Sequence, residues 1–171
     1  MICKMLKVFG LALLSLQTPA ATPTKPPKPL LVQIQRLGEL LRDSSASWYR
    51  ESTQVQFVKP RKEEEMALAV FTVEGFGGGN GHVQYLAAFS VEGSGSTQHF
   101  SLIDVLQVGG KGWRGIQQLN ARLSPGPARG ELRIKLDAMT VGPDDAPNFP
   151  SQTSTIELAL KAGRLTELSP P

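Results

Sequence analysis

His82-Val-Gln-Tyr-Leu-Ala-Ala-Phe-Ser-Val-Glu92, then Gly93-Ser-Gly-Ser96, then Thr97-Gln-His-Phe-Ser-Leu-Ile-Asp-Val-Leu-Gln-Val108 is the stretch whose reading decides the fold. Two alternating runs flank a glycine and serine cluster, the pattern of a β-hairpin. With residues 93–96 as the loop, Glu92 faces Thr97. Val83, Tyr85, Ala87, Phe89 and Val91 then lie opposite Leu106, Asp104, Leu102, Phe100 and Gln98. Both alternations bury the same face, an agreement that a slip of one residue destroys. The same register sets His82 opposite Gln107 and His99 opposite Ser90.

The segment entering this hairpin is Gly75-Phe-Gly-Gly-Gly-Asn-Gly81, and the segment leaving it is Gly109-Gly-Lys-Gly-Trp-Arg-Gly115. The register brings both to one edge. Bulges, positive φ angles and close chain approach account for the glycines. They do not account for Phe76, Asn80, His82, Lys111, Trp113 and Arg114 placed among them, an aromatic and cationic set of the kind found in contact surfaces. That edge is the expected binding surface, and its expected partner is an envelope or extracellular protein or a glycan.

Before the hairpin, residues 66–76 are apolar on both faces, which predicts a central strand covered from both sides. Small Ala67 and Ala69 leave room there for a helix. Leu30, Leu31, Ile34, Leu37, Leu40 and Leu41 recur at helical spacing, so residues 30–42 read as an amphipathic helix that packs on the sheet. Residues 22–29, TPTKPPKP, are a proline-rich tether. Ahead of it, Lys4 and Lys7, an apolar run over residues 8–16 and small residues at 18–21 form a signal-peptide pattern, with cleavage expected near residue 21. The run is shorter than the ~20 residues a membrane-spanning helix needs, so no stable span is expected after cleavage. The localisation implied is periplasmic or secreted.

After the hairpin, residues 116–123 alternate weakly and residues 125–130 turn. Leu132, Ile134, Leu136 and Ala138 alternate clearly with Arg133, Lys135 and Asp137, and Ile156, Leu158 and Leu160 repeat the pattern before a last short strand. The fold class is therefore α+β, mainly β: an antiparallel sheet or open barrel of about seven strands with one N-terminal amphipathic helix. Residues 30–171 make a single β-rich globular domain.

Composition limits the chemistry. Eighteen Lys and Arg stand against fifteen Asp and Glu, but Lys4 and Lys7 belong to the leader. The rest is nearly balanced and makes no electrostatic case for nucleic acid. The one cysteine, Cys3, also lies in the leader, so the mature chain relies on its core and not on disulfides. Its two histidines sit far apart in the hairpin register and no zinc-binding spacing occurs, so no metal or cofactor is expected. The first glycine loop matches no phosphate-binding motif, and a strand follows it where such a loop needs a helix. Asp104 interrupts an apolar face opposite Tyr85, where a tyrosine or arginine partner, or a local bulge, would satisfy it. The loop 142–153 carries two adjacent carboxylates and three prolines, with Phe149 expected to fold back on the sheet. The function that follows is that of an exported, non-enzymatic binding or inhibitor-like domain. The alternative is an envelope hydrolase using Asp104 with His82 or His99.

Overall fold

The structure, a computed structural model, describes residues 25–168 apart from the side chain of Ser96. The expected signal sequence and residues 22–24 of the tether lie outside the described residues. The described chain forms α1 (Lys28–Leu41), β1 (Ser47–Arg61), β2 (Glu64–Phe76), β3 (Gly81–Glu92), β4 (His99–Gly110), β5 (Arg114–Gly115), β6 (Arg122–Pro125), β7 (Leu132–Thr140), β8 (Gln152–Lys161) and β9 (Arg164–Glu167). All neighbours in the sheet are antiparallel, in the order β1-β2-β3-β4-β5-β7-β8-β9, with β6 pairing β7 beside that path. The expected open antiparallel sheet with one helix is the observed fold. The strands beyond the expected seven are β5 and β6, two and four residues long. That is too short to leave an alternation.

The sheet turns at β5, so that β7 to β9 lie over one face of β2 to β4. Met66, Leu68, Val70, Leu86, Ala88 and Val108 meet Ile134, Leu136, Ala138, Ile156, Leu158 and Leu165 in one core. On the other face, Ala67, Ala69, Phe71, Val73, Ala87 and Phe89 pack with Leu30, Ile34 and Leu37 of α1 in a second core. β2 therefore lies in the middle of three layers, and every residue from Met66 to Val73 is buried. This is the central strand that its two-sided apolarity predicts.

Proline at the start of α1 fits the helix entry, where a missing N–H costs nothing. The expected stripe differs in one place. Leu40 is 81% exposed, and Gly38 is buried instead. A Cβ on Gly38 would lie 2.7 Å from Trp48 Cβ, so the helix backbone rests directly on that indole and the glycine fixes which side faces inward.

The hairpin forms as expected in kind, but its register differs. Glu92 pairs with His99, Ala88 with Asp104, Tyr85 with Gln107 and Val83 with Gly110. The loop is longer than four residues because a single 3-10 turn, Gly95–Thr97, closes it. Two bulges then add Ile103 and Val108 to β4 without partners on β3. The two extra loop residues shift the pairing by two and each bulge by one more, which together separate Asp104 from Tyr85 and His82 from Gln107. The first bulge also breaks the simple alternation: Leu102 is 45% exposed, whereas Ile103 packs against the core between the sheet halves.

Candidate functional site

Three loops meet at the end of the sheet where β2 joins β3. The Lys111 amide donates to His82 O (3.1 Å), joining the first two glycine-rich segments, and Lys111 Nζ bonds Asn80 Oδ1. The Gly112 amide donates to Pro147 O (2.8 Å) and the Val141 amide to Trp113 O (2.9 Å), which bring in the loop after β7. Gly109 makes the approach possible, since a Cβ there would lie 2.6 Å from Arg114 O and 3.1 Å from Gln84 Oε1. The convergence survives the register change because the longer loop and the two bulges together carry Lys111, in place of Gln107, to His82.

The six expected contact residues divide. Asn80 and Lys111 are exposed and paired, and His82 is half-buried beside them. Phe76 is half-buried against the helix-side core. Trp113 is half-buried, with its ring 4.0 Å below the Arg114 guanidinium. Arg114 is 5% exposed and points inward: Nη1 and Nη2 donate to the two Glu167 oxygens at 2.7 Å each, and Nε donates to Val108 O at 2.7 Å. It holds β9 to β4 and β5, and it offers nothing to a partner.

Phe149 joins the rim. It does not fold back on the sheet; it is 74% exposed. Its loop is braced by Asp145, which accepts from the Gly142 and Ser151 amides (2.8 Å each) and the Ser151 hydroxyl (2.8 Å). Pro147 and Pro150 stiffen the flanks. Trp113 Nε1 and Asn148 Oδ1, a donor and an acceptor in this same corner, are buried without a partner among the described residues.

Asp43 ties the first glycine loop to the end of α1. Its carboxylate accepts from the Gly77 (2.8 Å), Ala46 (2.8 Å) and Ser45 (2.9 Å) amides, with Gly77 the largest of the effects that hold it below the usual aspartate range near 3.8. The Gly142 amide, ahead of Ser151, does the same to Asp145. Both carboxylates ionise more readily in the folded chain than in the unfolded one. Their contribution is therefore complete above the unfolded value and is lost as pH falls through the lower folded values. An Asp43→Asn, Asp145→Asn variant is expected to melt below the parent at neutral pH, with the gap closing from about pH 4 downward in thermal melts. A gap that stays constant to the lowest pH would contradict the assignment.

Asp104 serves the closure of the sheet. At the bulge its Oδ2 accepts from the Leu165 amide (2.7 Å) and its Oδ1 from the Val105 amide (2.9 Å), so it sutures β9 to β4. His82 lies six positions along β3 from Ala88, the partner of Asp104, or about 20 Å. His99 is five positions along β4, or about 16 Å. The structure does not bring these three groups together. Among the described residues no three His, Cys, Asp or Glu side chains are placed to hold a metal, and no helix is long and apolar enough to cross a membrane.

No family model, curated protein or solved structure matches the chain.

Proposed function

We propose that the protein is an exported, non-enzymatic binding domain whose contact surface is the loop rim, made of Asn80, His82, Lys111 and Phe149. The observation that carries this reading is Phe149. A phenyl ring held 74% exposed by a loop with a three-bond carboxylate brace is a rigid apolar anchor, and such anchors supply most of the energy of protein contacts. The Asn80–Lys111 pair beside it gives a polar rim. An envelope or extracellular protein, or a glycan that stacks on the ring, fits this composition.

A Phe149→Ala, Lys111→Ala variant is expected to keep the parent melting temperature, because both side chains are exposed. It should lose retention of envelope proteins or isolated cell wall by about tenfold or more, as expected for a hot-spot residue. Equal retention by parent and variant would remove the rim from the function.

A further inference from the structure

The opposite end of the molecule holds a different feature. Between the hairpin ends of the two sheet halves opens a cleft of about 1600 Å³. Its floor is apolar: Val58, Met66, Ile103, Leu123, Leu132 and Leu160. Its two walls are strand edges. Residues 56–61 of β1 and residues 121–126, which include β6, line it consecutively. A strand that lines a cavity through its face contributes alternate residues, whereas one that lines it through its edge contributes all of them. Among the described residues β1 pairs with β2 alone and β6 with β7 alone, so each leaves an unpaired backbone edge along the cleft.

Just above the cleft the same two walls are already joined by the chain itself. Gln54 and Gln56 of β1 bind the backbone of Gln117, Leu119 and Ala121 with their side-chain amides. Below Ala121 the walls part and nothing in the described chain continues the bridge.

We propose that this cleft takes an extended, apolar and uncharged polypeptide segment of a partner protein, which adds as a strand between β1 and β6. The site lies away from the glycine-rich rim and does not depend on it. Three observations select the occupant. The two backbone edges need hydrogen-bonding groups at strand spacing, which a polypeptide supplies. An acyl chain would desolvate those edges and leave them unpaired. The floor rewards alternate apolar side chains. The mouth carries Lys59, Arg61, Arg122 and Arg129 against Glu63, Glu64, Glu65 and Glu131, a balance that selects no charged head group. Pro60 withdraws one donor near the mouth, so pairing on β1 is confined to Gln56, Phe57, Val58 and Lys59.

The test uses the mature chain and a fluorescein-labelled, acetylated heptapeptide of alternating valine and threonine, compared with the same peptide N-methylated at alternate amides. Fluorescence anisotropy is expected to show saturable one-to-one binding that N-methylation weakens at least tenfold. Amide exchange should slow at the amides within residues 56–59 and 122–124 that face the unpaired edge. Leu123→Glu should abolish binding; if that variant does not fold, the N-methyl comparison still decides. Equal binding of both peptides, displacement of the peptide by laurate without exchange protection in β1, or no saturation at millimolar peptide would each overturn the proposal. So would a dimer in sedimentation that Leu123→Glu dissociates, since the cleft would then belong to a second copy.

Discussion

Replacing Arg114 by methionine is expected to cost about 3 kcal/mol of unfolding free energy, the lower end of the range for breaking a buried ion pair from one side. The loss has two parts. Glu167, 18% exposed, loses both guanidinium bonds, and Val108 O loses its donor from Arg114 Nε inside the core. The partial exposure of Glu167 lets water recover some of the energy, which places the effect at the low end. In urea, with a slope of about 2 kcal/mol per molar, the midpoint should fall by about 1.5 M. The double variant Arg114→Met, Glu167→Leu leaves no unpaired carboxylate and should recover at least half of that fall, because well-packed apolar pairs often equal the ion pairs they replace. A single variant within about 0.5 M of the parent would show that Arg114 is not the tie between β9 and the β4–β5 corner.

That result would also explain why Arg114 read from sequence as a contact residue. A cationic and aromatic pair in a glycine-rich segment has the composition of a binding loop, and composition does not record which way a side chain points. What turns Arg114 inward is Glu167, 53 positions away. The helix, the central strand and the hairpin were legible because each writes its own period: 3.6 along residues 30–41, two-sided apolarity along 66–73, alternation along 83–91. The exact hairpin register was not, since the 3-10 turn lengthens the loop by two residues and each bulge adds one residue that looks like any other. Ile103 and Val108 are ordinary β-branched residues, and their extra places exist because Asp104 reaches the Leu165 amide and Gly109 meets the β5 backbone. At the rim, the meeting of the two glycine loops followed from hairpin topology and tolerated the register change. Phe149 did not follow, because nothing local distinguishes an aromatic that folds back from one that Asp145 holds out. The cleft was illegible for a similar reason: it is the space between two edges, β1 and β6, that come together only after the sheet has turned over.

Gln56→Leu is expected to destabilise the chain by about 3 kcal/mol, although it exchanges a buried polar side chain for an apolar one of similar size. Gln56 is 1% exposed. Its Oε1 accepts from the Ala121 amide (2.7 Å) and its Nε2 donates to Ala121 O (2.9 Å), so the side chain serves as the missing strand partner of that residue. Gln84 does the same for Ile116 (2.7 and 3.1 Å), and Gln54 divides its bonds between Leu119 and Gln117. Together they hold residues 116–121 across the face of the sheet and seat Ile116, Leu119 and Ala121 in the core. Leucine at 56 adds apolar burial worth about 1–2 kcal/mol. It also strands one N–H and one C=O that are closed to water, at about 1–3 kcal/mol each. The second effect wins. Gln54→Leu, at a half-buried site, should cost about 1 kcal/mol, because water reaches the groups it leaves. Amide exchange at Ala121 should accelerate in the Gln56 variant and stay slow in the Gln54 variant. Simple hydrophobicity predicts the opposite sign for Gln56→Leu, so a raised urea midpoint would show that apolar burial, and not main-chain pairing, holds the strap in place.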